Sequence, residues 1–163
     1  TNGSALEKLK WGIVPSWSKK KDFKPLINSR LETIDEKISF KKLIKLKRCI
    51  AIADGFYEWK RTEKEKKPFF FQREDKKIIY FAGIYDENEF CLITEQASEN
   101  VLEIHHRQPV ILNQKDLKSY LDLQLDGSAF LKEARKPKLE FYEVSKDVNK
   151  PSNNSISLIQ SLN

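Results

Sequence analysis

Apolar residues alternate with polar ones at a period of two through most of the middle of the chain, and shift to helical spacing only in short bursts. "KWGIVPSW" reads as a short strand ended by Pro15, and "LINSRLETI" as a second extended piece. "SFKKLIKLK" carries Phe40, Leu43 and Ile44 at helical spacing, with Ser39 as the expected N-cap. Strands then follow at short intervals over 48–59, 68–73, 77–86 and 89–94, separated by charged turns short enough for antiparallel hairpins. Ser98 is placed to cap a short helix, "ENVLEI", which leads into the corner "HHRQP" and a strand "VIL". Asn113 is placed to cap "QKDLKSYLD", with Leu117, Tyr120 and Leu121 inward, and a further helix "SAFLKEA" precedes strands "LEFYEVS" and "ISLIQSL". Hairpin strands with helices inserted at their edges predict an α+β fold, a mostly antiparallel, curved, barrel-like sheet with several short helices. With no repeat and no linker, residues 1–163 read as one domain.

Four stretches set polar groups where this pattern predicts burial. In "IADGFYEWK" the carboxylate of Glu58 lies between aromatics, sharing a face with Phe56 while Tyr57 and Trp59 share the other. It either points into a half-buried cleft, where desolvation raises its pKa toward a range useful for proton transfer, or pairs with a lysine at a sheet edge. In "INSRLET", Asn28, Arg30 and Glu32 alternate with Ile27, Ser29 and Leu31, so one strand face presents an amide, a guanidinium and a carboxylate, or an ordinary solvated Arg30–Glu32 pair. In "IHHRQP" only one of His105 and His106 can face a given cleft, and Arg107 shares a side with His105, an arrangement suited to acid–base work near a phosphate or to a plain surface loop. In "WGIVPSW", Trp11 is expected in the core, whereas Trp17 follows a rigid proline beside Lys19, Lys20 and Lys21 and could stack on a base or wedge into a helix junction.

Composition narrows the choice. Lys and Arg outnumber Asp and Glu by 30 to 24 in 163 residues, a net +6 that favours acidic partners such as nucleic acid. Cys49 and Cys91 each sit in an apolar run, which predicts packed, reduced thiols in an intracellular protein. No apolar run approaches the roughly 18 residues of a membrane span, and no signal peptide is visible. Met is absent and the chain opens "TNGSALEKLKW", so translation is read as having begun elsewhere. There is no Gly-rich phosphate loop, G-x-S-x-G elbow, C-x-x-C or H-E-x-x-H, and two adjacent histidines lack the spacing of a metal site.

Taken in order and spacing, "WGIVPSW", "INSRLETI", "RCIAIADGFYEW", "PFFF", "FAGIYD", "FCLIT" and "IHHRQPVIL" resemble the SRAP family, the SOS-response-associated proteins that crosslink to abasic sites in DNA. The resemblance implies an N-terminal cysteine, exposed by autocatalytic removal of the initiator Met or a short leader. The α-amine and thiol of that cysteine trap the ring-opened aldehyde of an abasic deoxyribose as a thiazolidine. It further implies single-stranded or junction DNA as partner, no cofactor and no metal, a monomer, and a bacterial cytoplasm with nucleoid association on DNA. Carried over residue by residue, the catalytic positions fall on Asn28, Glu58 and His105, and the DNA-backbone contacts on Arg30 and Arg107. Trp17 takes the place of a tryptophan near the DNA junction. Lys37 is the nearest substitute for a second basic residue after "ET", where Ile38 falls near the register. The family's opening Met-Cys-Gly-Arg segment is not in this sequence, and neither Cys49 nor Cys91 can replace its cysteine, because an internal residue has no free α-amine. The alternative is a non-catalytic single-stranded nucleic-acid-binding module of the same fold.

Overall fold

The computed structural model describes residues 6–18 and 22–162, so Lys19, Lys20 and Lys21 lie outside the described residues. The strands are β1 (Lys10–Trp11), β2 (Asn28–Arg30), β3 (Arg48–Ala53), β4 (Phe56–Arg61), β5 (Lys66–Arg73), β6 (Ile79–Asp86), β7 (Glu89–Gln96), β8 (Arg107–Pro109), β9 (Ile111–Leu112) and β10 (Leu139–Glu143). The helices are α1 (Leu43–Leu46), α2 (Glu99–Leu102), α3 (Leu117–Leu121) and α4 (Gly127–Glu133), joined by short 3-10 turns. The expected α+β class with mostly antiparallel strands and few, short helices is what the chain adopts. Neither sheet closes on itself, so "barrel-like" describes it only loosely. Contacts divide the chain into two compact units, each assembled from three separate stretches: 1–52, 80–95 and 109–136 in the first, and 53–79, 96–108 and 137–163 in the second.

The first unit is built on the β6–β7 hairpin, antiparallel from Gly83↔Leu92 to Asp86↔Glu89. The free edge of β7 is taken in succession by β1 and β2, both parallel to it, and β3 and β9 lie against β6. Ala82, Ile84, Cys91 and Ile93 point from this hairpin into a core closed by Ile34, Phe40, Leu43, Ile44, Tyr120 and Leu131. The residues expected to face inward from "SFKKLIKLK" are therefore buried. The helix itself is only α1, with Lys42 rather than Ser39 at its N-cap. Tyr120 is fully buried and its hydroxyl donates to Gly83 O at 2.8 Å, satisfying the one polar atom such a side chain carries into a core. Arg48 is also buried, and its Nη2 donates to Asp122 O (2.7 Å) and Leu125 O (3.0 Å), fixing the turn between α3 and α4. Cys49 and Cys91 are free thiols, and burial pushes both up to about 12, which makes them inert at neutral pH.

Trp11 departs from its expected place. It is 52% exposed, because β1 has only two residues and its indole lies on the outer surface, stacked on Phe90 at 6.4 Å and donating to Ile27 O at 2.8 Å. "LINSRLETI" is extended only over β2. The chain then turns into a 3-10 helix over Leu31–Thr33, since Leu31 and Ile34 at i, i+3 both reach the core.

The second unit is a three-stranded antiparallel sheet in the order β10–β5–β4. The expected hairpin between β5 and β6 does not form, because β5 pairs with β10 instead, from Leu139↔Arg73 to Glu143↔Phe69. Its adhesive is aromatic: Phe71 stacks on Phe56 at 5.0 Å and meets Phe141 at 5.0 Å, while Phe70 meets Tyr57 at 5.3 Å and Tyr142 at 5.9 Å. The expected strand "ISLIQSL" is a 3-10 turn over Ile156–Ile159 followed by a single bridge from Ser161 to Val144. There the hydroxyls of Tyr57 and Tyr142 donate to Leu158 O and Ile159 O, occupying carbonyls that a strand would need for its ladder.

Candidate functional site

Strand β4 is the edge of its sheet, and that position decides how Glu58 behaves. β4 pairs with β5 on one side, with Glu58 opposite Phe69, and among the described residues no further strand lies on its other side. The Glu58 carboxyl is half-buried, and the Trp59 backbone N–H beside it favours its charged form. Glu58 lies on an edge strand, yet it is half-buried and its ion-pair neighbour is a histidine and not a lysine. His105 Nδ1 stands 3.9 Å from Glu58 Oε1. Burial raises the Glu58 carboxyl above the usual carboxylate range, and the field of His105, the Trp59 N–H and His106 pull only partly against that rise.

His105 is carried by the loop after α2, whose shape follows from a few bonds. The His105 backbone N–H donates to Val101 O at 3.0 Å, and Ala97 N–H donates to His106 O at 3.1 Å. Gln108, itself buried, accepts from both the N–H and the hydroxyl of Ser98 at 2.9 and 3.0 Å. Ser98 thus stands at the N-cap of α2 as expected, but its hydroxyl bonds the side chains of Gln108 and Asn100 and not a backbone N–H of the helix. The backbone of Arg107 offers His105 Nδ1 a donor at 3.2 Å and an acceptor at 3.0 Å. Nδ1 accepts from the Arg107 N–H when it carries no proton and donates to Arg107 O when it carries one, so either form finds a partner there. The ring keeps its place in both charge states. His106 is exposed and lies against His105 at 4.5 Å between ring centroids.

Glu58 and His105 open onto a cleft of about 380 Å³ whose other lining residues are Trp59, Arg61, Lys66 and Asn149. Sequence reasoning missed these four. Strand alternation puts Trp59 on the face opposite Glu58, the cations have the composition of a charged turn, and Asn149 carries no local signal. Trp59 Nε1 donates to Asn149 Oδ1 at 2.8 Å, so the indole is anchored at the cleft. Among the described residues no group of three or more His, Cys, Asp or Glu is placed to hold a metal.

Of the other expected residues, Arg107 starts β8 within the second unit, and Asn28, Arg30, Trp17 and Lys37 belong to the first. Asn28 and Arg30 share the exposed face of β2 while Ser29 between them is buried, its hydroxyl donating to Leu92 O at 3.4 Å. Glu32 does not join that face, because it lies on the 3-10 turn. Trp17 is 55% exposed with Phe23 edge-on at 6.1 Å, and Lys37 is exposed in the turn before α1.

Comparison with known proteins identifies the family. Residues 1–151 match the family described as SOS response associated peptidase (SRAP). The abasic site processing protein YoqW of Bacillus subtilis is 37% identical over 98% of this chain and 78% of its own length. The abasic site processing protein YedK of Escherichia coli is 33% identical over 95% of this chain and 74% of its own. A crystal structure of a protein from Bacteroides thetaiotaomicron superposes with a TM-score of 0.80 at 27% identity, covering 94% of this chain and 75% of that one. The chain belongs to the SRAP family.

Proposed function

We propose that this protein processes abasic sites in single-stranded or junction DNA, acting as a monomer in the cytoplasm and on the nucleoid, by covalent capture of the ring-opened sugar. The observation that carries the reading is the half-buried Glu58 carboxyl, held above its usual range beside His105. Such a group can take and return a proton near neutral pH. The nucleophile of this reading is the N-terminal cysteine that the SRAP family uses, with its free α-amine and thiol, exposed by autoproteolysis. Its amine attacks the aldehyde carbon, water leaves to give an imine, and the thiol adds across the C=N bond to close a thiazolidine. The net change is one water released and no redox step. Glu58 moves the amine and hydroxyl protons, and His105 protonates the ring oxygen as the sugar opens. Asn28 orients the sugar, while Arg30, Arg107 and Lys37 contact phosphates and Trp17 packs at the strand–duplex junction.

The test is the intact mass of the full-length protein after incubation with an abasic-site oligonucleotide. An adduct equal to the DNA minus one water is expected. Retained binding without any adduct would leave only a nucleic-acid-binding module. A second expectation concerns Arg107. Binding through phosphates falls steeply with salt and varies little with base sequence. Arg107→Ala should weaken binding to all sequences alike and flatten the salt slope by about one unit. Normal affinity with altered sequence preference would contradict that role.

A further inference from the structure

We propose that Arg61 and Lys66 form a phosphate subsite beside the Glu58–His105 pair, with the Trp59 indole as its stacking floor, which holds the nucleotide next to the abasic one. The proposal rests on the DNA-processing reading above and adds a site to it.

The argument begins with an unfavourable contact. The β4–β5 register sets Arg61 directly opposite Lys66, and both are exposed. Like charges facing each other across a ladder destabilise a sheet. The adjacent pair, Lys60 opposite Lys67, carries the same conflict but is relieved, since Lys67 lies 3.2 Å from Glu143 and 4.0 Å from Glu65. Glu65 is shared further with Lys146. Among the described residues neither Arg61 nor Lys66 has an acidic partner; Glu63, in the turn beside them, pairs with neither. The two cations left uncompensated are the two that line the cleft with Glu58. A bound anion would relieve them as Glu143 and Glu65 relieve Lys67.

The chemistry of that anion follows from the third group. Trp59 lies two residues before Arg61, on the same face of β4. Asn149 takes its indole N–H, which leaves a fixed ring with its one polar atom already satisfied. A fork of two cations beside an immobilised aromatic surface suits a phosphodiester with its base stacked alongside, better than an isolated carboxylate. Arg61 lies three residue steps along the strand from Glu58, about 10 Å at strand rise, which places this anion next to the reacting sugar and not on it.

The experiment measures binding by full-length protein of a short single strand carrying tetrahydrofuran, an abasic analogue that cannot react, so affinity is read apart from chemistry. Arg61→Ala with Lys66→Ala should weaken binding about 10-fold at low salt and reduce the salt slope by about 1.4 for two lost single-strand contacts. A methylphosphonate scan then locates the subsite. Neutralising one phosphate adjacent to the tetrahydrofuran should weaken the wild type and leave the double variant unchanged. Trp59→Phe should retain most of the affinity and Trp59→Ala lose about 10-fold. Lys66→Glu, which replaces a repulsive pair by an attractive one, should raise Tm by about 1 to 3 °C while weakening DNA binding. Wild-type affinity and slope in the double variant would overturn the subsite while the function stands. So would a double-variant deficit that survives whichever phosphate is neutralised, or a lowered Tm in Lys66→Glu. Failure of the wild type to bind or crosslink abasic DNA would overturn both.

Discussion

Glu58→Gln is expected to slow crosslinking to abasic DNA by about 10² to 10⁴, the usual cost of losing a general acid or base, while affinity for tetrahydrofuran-containing DNA stays near wild type. Gln keeps the size of the side chain and can still accept the Trp59 N–H, but it carries no titrating proton. Stability supplies the control. Burial raises the Glu58 carboxyl, so the folded protein holds this proton more tightly than the unfolded chain does. The ionised side chain therefore costs stability above the raised value, and the cost fades as pH falls through it to the ordinary carboxylate range. Glu58→Gln should accordingly melt at or above the wild type at about pH 8, with the difference closing by about pH 4. A purely structural Glu58 makes the opposite forecast, a normal rate and a lower Tm. A variant with an unchanged crosslinking rate would sink the proposed role, whatever its Tm. His105→Gln should impair the rate as well, most strongly with a sugar that must still open.

The candidate acid was legible because three aromatics in four positions around Glu58 announce burial, and an isolated carboxylate in such a run has few cheap solutions. His105 was legible as one of two histidines at a corner beside an arginine. What alternation could not supply is which strand neighbours which. A period of two fits β3 and β4 equally well, so 48–59 read as one strand, although the chain leaves one sheet and enters another within it. Trp11 was misplaced for a related reason. A large aromatic on a strand predicts burial only if both strand edges are covered, and β1 is two residues at a margin. The cleft cations were hidden differently. "KRTEKEKK" has the composition of any solvated turn, and only the register shows that Arg61 faces Lys66 while Lys67 has acids of its own. "ISLIQSL" has a strand's alternation, and the two tyrosine hydroxyls that claim its carbonyls come from residues far away in sequence.

Gly55→Ala should produce the largest loss of stability among single methyl additions in the second unit, because Gly55 stands where the run 48–59 divides. β3 ends at Ala53 and β4 starts at Phe56, leaving two residues to redirect the chain beneath the aromatic sheet. An added Cβ at Gly55 would lie 2.5 Å from Phe70 Cε2 and 2.7 Å from Phe71 O, and closer still to Phe70 Cζ. The carbonyl belongs to the β4–β5 ladder, where Phe56 pairs with Phe71. The ring has nowhere to go, since Phe70 is 4% exposed and wedged between Tyr57 and Tyr142. Relief requires moving a packed ring and a ladder carbonyl together, at a cost of about 3 kcal/mol by the measure of overpacked cores, or about 6 to 12 °C in Tm for a chain of this size. Asp54→Ala, one residue earlier and exposed, should stay within about 0.5 kcal/mol of wild type. The same shift would displace the start of β4, two residues before Glu58, so crosslinking by the still-folded fraction should slow as well. Urea melts and single-turnover crosslinking on Gly55→Ala and Asp54→Ala separate the two effects. If Gly55→Ala matched Asp54→Ala in both, the close approach at Phe70 would not be what turns the chain there.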